Sequence, residues 1–175
     1  GSAHGVAAWA FNALAELGDG SQSFQGFAAG ALCDVAGGAY DIGNDSESVG
    51  AAELAAQFWG ALWALQFLGG PSDIEVACLF DSMYAARIAQ ALAKPSVHER
   101  LASLVSGAMQ ALSQLTRVTR HHIKAHSGHP WNELADAAAT AASKGQLRCV
   151  LPLPPCAVLG GLDEGGVFCC RMVVP

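Results

Sequence analysis

The first 86 residues contain no Lys or Arg at all, although they carry ten Asp and Glu. The first basic residue is Arg87, and from there on nine basic residues face five acidic ones. The net charge of −6 therefore conceals an acidic half followed by a mildly basic one. Such a balance argues against free, unaided binding of nucleic acid, while the basic half leaves room for a phosphate substrate bridged by metal ions. Charge of either sign is scarce: only 14% of the 175 residues are charged and 52% are hydrophobic, which excludes a mostly disordered chain and suits one ordinary domain with a sizeable core. The six cysteines include no C-x-x-C pair, so reduced thiols in an intracellular protein, nuclear or cytoplasmic, are expected rather than a disulfide framework. A membrane span is missing too. The longest uncharged stretch, Leu54 to Ser72, closes with Gly69-Gly70-Pro71 and leaves about 15 helix-competent residues, short of the ~20 a span needs. With no Lys or Arg ahead of the apolar start in these residues, a secretory signal is not expected.

What is present reads as alternating strands and helices. The apolar run Val6 to Leu14 suits a strand, Gly18 to Ser23 a turn, and Phe24 to Cys33 a second strand; the Gly-rich stretch to Ile42 is a third strand or a loop. Gly43 to Ser48 is polar and rich in capping residues ahead of a helix. From Val49 to Leu68, large apolar residues at Leu54, Phe58, Leu62, Leu65 and Leu68 follow one helical face. Ile74 to Phe80 reads as a buried strand, Ser82 to Ala93 and Val97 to Leu115 as helices, Val118 to Lys124 as a strand, Ala125 to Trp131 as a loop and Asn132 to Lys144 as a helix. This order predicts an α/β fold with mixed strand directions. Beyond Gly145 the texture becomes Pro- and Gly-rich, so residues 145–175 are expected to form a tail that ends in a strand at Val167 to Val174.

Three acids and a group of histidines are the candidates for chemistry. Asp81 follows a buried strand, where α/β sheets gather ligands, though Asp also caps helices well. Glu53 lies in the first turns of its helix, which the helix dipole alone would explain. Asp136 sits on the last helix beside Leu134, Ala137 and Ala141, and taken alone reads as a solvated surface acid. His121, His122, His126 and His129 invite a zinc reading, but neighbours on a strand face opposite sides.

Together these residues carry a resemblance. Ala52-Glu53-Leu54, then Asp81-Ser82-x-Tyr84-Ala85, then Lys124-x-His126-x-Gly128-His129-x-x-Asn132-Glu133-x-Ala135-Asp136 resemble the type 1 ribonuclease H family, in the flavour found in the reverse transcriptases of non-LTR retrotransposons. The resemblance covers residues 1–144 and implies a mixed sheet flanked by helices. It implies a hydrolase that cuts the RNA strand of RNA/DNA hybrids with two Mg²⁺ ions, Mn²⁺ being possible. Glu53, Asp81 and Asp136 would be three of four metal-binding carboxylates, His126 the mobile histidine that moves protons, and Ser82 and Asn132 substrate-binding residues.

Two departures accompany it. The family's first strand, central in its sheet and ending in an Asp, has no counterpart within these 175 residues, so the domain is expected to be N-terminally truncated. A central strand cannot be missing without leaving backbone groups unpaired in the core, and the apolar Val167 to Val174 is expected to take its place beside the Ile74 to Phe80 strand. A basic hybrid-gripping element is also absent. Arg117, Arg120 and Lys124 remain to touch phosphates near the active site, so affinity is expected from other domains of a parent polyprotein. The rival expectation is a catalytically degenerate module for nucleic-acid binding or scaffolding.

Overall fold

A computed structural model of the chain describes residues 6–32, 42, 48–147 and 167–174, the first five residues of the last segment by backbone alone. Strand β1 (Ala8–Leu17) turns tightly into β2 (Gln22–Ala31), and the pair is antiparallel. Helix α1 (Val49–Leu68) leads to β3 (Glu75–Phe80), the short α2 (Met83–Ala89), α3 (Glu99–Leu115), β4 (Val118–His122) and α4 (Pro130–Ser143). The last strand, β5, runs from Val167 to Val174. The elements expected from the sequence are present, with ends displaced by a few residues; residues 33–41, where a third strand or a loop was expected, lie outside the described residues.

The five strands form one mixed sheet in the order β2-β1-β5-β3-β4. β5, last in the chain, lies in its middle. It runs antiparallel to β1, pairing Asn12 with Val173, and parallel to β3, pairing Phe80 with Val174. The central slot expected to be vacated by a missing first strand is thus filled by the C-terminal segment, and the backbone groups of β1 and β3 that would face that gap find partners. The sheet consequently draws on both expected segments, 1–144 and 145–175.

Local chemistry accounts for the helix ends. Ser48 caps α1 by accepting from the Ala51 N–H at 3.1 Å, and Gly69 stops the helix in the left-handed conformation, φ 64°. Ser82 caps α2 and accepts from the Ala85 N–H. α2 ends four residues before the sequence predicts, because Ala91 turns to φ 56° and the Leu92 N–H reaches back to the Arg87 carbonyl. α4 starts with Pro130 at its first position, where proline lacks only an N–H that would be unpaired anyway.

α1 departs from the expected stripe. Phe58, Leu62, Leu65 and Leu68 are only half-buried, whereas Ala55, Ala56, Gly60, Trp63, Ala64 and Phe67 are buried. Small residues bring the helix close to the sheet: a Cβ at Gly60 would sit 3.5 Å from Met172 Sδ on β5 and 3.7 Å from Phe11 on β1. β1 is buried on both faces. Trp9, Phe11 and Ala13 enter the large core under α1 to α3, while Ala10 and Leu14 point to the side covered by α4. No helix among the described residues is long and apolar enough to cross a membrane.

Candidate active site

Four separate pieces of chain meet where β3 ends. Glu53 comes from the second turn of α1, Asp81 directly follows β3, Asp136 lies on α4, and His126 stands in the β4–α4 loop; together with Ser82 they line an open cleft of about 330 Å³. The sequence separations between them mean that only the tertiary fold brings these groups together.

Two of the carboxylates are held by side chains from other elements. The Ser82 hydroxyl, while capping α2, donates to Glu53 Oε2 at 2.6 Å. Asn132 Nδ2 donates to Asp81 Oδ2 at 3.2 Å. Both supports are buried, Ser82 at 8% and Asn132 at 1% exposure, so their rotamers are fixed by packing. The N-terminus of α4 is itself tied to the sheet, because the fully buried Asn12 on β1 donates to the Trp131 carbonyl. At the strand end, the Ile123 N–H donates to the Phe80 carbonyl, and His122 Nε2 lies 3.2 Å from the Asp81 carbonyl oxygen.

His126 occupies the left-handed region, φ 49°, and its side chain is 80% exposed. Its Nδ1 lies 3.3 Å from Asp136 Oδ2, which makes no hydrogen bond although it is buried. Burial raises the pKa of Glu53 above the usual carboxylate value; the Ser82 hydrogen bond opposes the rise and the charge of Asp81 adds to it. Asp136 is raised by burial first and by the charges of Asp81 and Glu133, with His126 opposing. Acids crowded in this way repel one another, and a bound cation relieves that repulsion.

The cleft offers carboxylate oxygens from three elements, among them a buried Asp136 oxygen without a hydrogen-bond donor, the ligand type that Mg²⁺ prefers, but Glu53, Asp81 and Asp136 do not all come within 4.8 Å of one another. Glu133, to which the sequence reading gave no role, also belongs here: its carboxylate, Asp136 and His126 present ligand atoms all within 4.8 Å of one another. Its place in the Asn132-Glu133-x-Ala135-Asp136 run, three residues before Asp136 on one helical face, is the signal that marks it. The four histidines do not assemble into a zinc site. His121 Nε2 lies by the Thr119 hydroxyl, His122 by the Asp81 carbonyl, and His129 precedes α4 without a side-chain cap bond. Of the three cations expected near phosphates, Arg117 pairs with Glu75 at 3.4 Å, and Arg120 faces a different cleft.

A mixed five-stranded sheet with helices on both faces defines a ribonuclease H-like α/β fold. The RNase H family model matches residues 18–144, and the chain belongs to that family. Family membership implies a nuclease for RNA/DNA hybrids, and the family typically uses Mg²⁺. No curated protein matches the chain.

Proposed function

We propose that this chain is a ribonuclease H domain that cuts the RNA strand of RNA/DNA hybrids endonucleolytically. Glu53, Asp81 and Asp136 would hold a pair of Mg²⁺ ions, with Mn²⁺ as a substitute, and His126 would carry protons. The observation behind this reading is the convergence of the three carboxylates on one open cleft with an exposed imidazole at its rim. When bound, the divalent ions supply activation of the attacking water and stabilisation of the leaving oxygen. The protein's own part is orientation. Ser82 fixes one oxygen of Glu53 and Asn132 one oxygen of Asp81, so both act on the substrate through the carboxylates they hold. His126, exposed and against Asp136, exchanges protons with solvent. Its parent is proposed to be a non-LTR-type reverse transcriptase polyprotein, nuclear or cytoplasmic, whose other domains supply hybrid affinity.

The test is cleavage of a labelled hybrid with Mg²⁺. The RNA strand should be cut, and Asp81→Asn should slow cutting by at least about 100-fold, since even outer-shell changes at metal sites cost 10–100-fold, with the unfolding midpoint retained. Unchanged turnover in that variant overturns the assignment.

A second reading, a degenerate module that binds nucleic acid or serves as a scaffold, is favoured by one observation: β5 ends in Val173 and Val174, and no described residue there supplies a fourth carboxylate. Binding of the hybrid without Mg²⁺-dependent cleavage would establish this reading.

A further inference from the structure

Arg120 stands apart from the carboxylate site. It is level with Cys78 on the neighbouring strand and faces the α1 to α3 side of the sheet. There it lines a cleft of about 340 Å³ between α2, α3 and β4, together with Gln90, Ser106, Gln110 and Ser113. None of the residues lining this cleft also lines the carboxylate cleft. Behind it lies a gap of about 10 Å³, lined by Arg120, Gln90 and the buried Gln57.

No acid lines either space. Arg120 Nε is buried and makes no hydrogen bond, and the same holds for Gln57 Nε2. The neighbouring donors are already engaged: Gln90 Nε2 donates to the Ala86 carbonyl, the Ser106 hydroxyl to Ile88 and the Ser113 hydroxyl to Met109. A guanidinium cannot shed its charge, and a buried donor without a partner is costly. One water fits the inner gap and can answer Gln57. It brings no negative charge for Arg120. The cleft outside is large enough for an oxyanion, which a guanidinium fork matches in geometry.

We propose that Arg120 anchors an anion-binding site for a phosphate group in the cleft between α2, α3 and β4. The phosphate is either free or part of a nucleic-acid backbone. Inorganic phosphate titrated into the isotopically labelled chain should shift the Arg120 Nε–H and Gln90 side-chain amide resonances saturably, whereas equal ionic strength of chloride should not. Arg120→Met should weaken binding at least tenfold, Arg120→Lys should retain part of it, and Arg117→Ala should leave it unchanged. An RNA/DNA hybrid that displaces the phosphate identifies a backbone phosphate as the ligand; a hybrid that binds without displacing it identifies a free one. No saturable shift, an equal response to chloride, or equal affinity in a folded Arg120→Met chain overturns the proposal.

Discussion

The two faces of the sheet are built from different materials. Under α1 to α3 the core is large and aromatic: Trp9 stacks on Phe11 and Trp59, and Trp63 stacks on Phe67. Under α4 it is mostly alanine, with Ala138 and Ala142 against Ala10 and Ala29 and a small cluster around Leu14, Leu79 and Val173. The aromatic face buries far more apolar surface and so carries most of the hydrophobic stabilisation. The alanine face allows close approach of α4, and α4 brings Asn132, Glu133 and Asp136 to the strand ends. The aromatic face carries most of the hold on the fold, and α4 on the other brings Asn132, Glu133 and Asp136 up to Glu53 and Asp81.

The sharpest way to break this contrast is to empty the aromatic side. Phe11 is fully buried, and Phe11→Ala should cost about 3–5 kcal/mol through lost transfer energy and a residual cavity, read as a fall in the denaturant midpoint. An insertion on the other face should act differently. Ala138→Leu adds volume where alanines meet and should cost about 1–3 kcal/mol. Because it would lift α4, and with it the Asn132–Asp81 hydrogen bond, cleavage should fall by more than the folded fraction does. If the two variants lose activity only in proportion to stability, the division of labour between the faces is wrong.

The sequence made much of this legible, and the reason is local. Strand alternation, a serine ahead of α1 and the Gly69-Gly70-Pro71 stop specify elements from neighbouring residues, and β5 was readable as an apolar segment suited to an otherwise unpaired slot. The sheet-facing side of α1 was not, because Gly60 and the alanines bury it by being small, while the large residues that draw the eye lie on its flanks. The support of Glu53 by Ser82 and of Asp81 by Asn132 spans 29 and 51 residues, beyond any spacing rule. The separation of Arg120 from Arg117 likewise follows from tertiary placement: Arg120 lies on β4 beside Cys78, whereas Arg117 precedes the strand and pairs with Glu75. Arg87 opens the basic half of the sequence, yet the cations that matter are distinguished by packing.

The smallest expected effect tests the electrostatics of the carboxylate cleft, to which both sides contribute an acid. Both Glu53 and Asp136 have raised pKa values in the folded chain. The folded state therefore holds protons that the unfolded state releases, and between the ordinary carboxylate pKa and the raised values stability falls as pH rises. Acidifying the metal-free protein from neutrality through the raised values should stabilise it, and the gain should cease near the unfolded pKa of about 4. Metal affinity should run the other way, since protonated carboxylates make poor ligands. Asp136→Asn removes one of the repelling acids while keeping its shape. It should raise the metal-free melting temperature at neutral pH by no more than about 3 °C, flatten the acid-side gain and weaken Mg²⁺ binding. The aromatic contacts offer no such trade, because Trp9, Phe11, Trp63 and Phe67 carry no ionisable group. A metal-free Asp136→Asn chain that melts lower than wild type at neutral pH would show that this carboxylate is held by favourable contacts rather than strained for binding a cation.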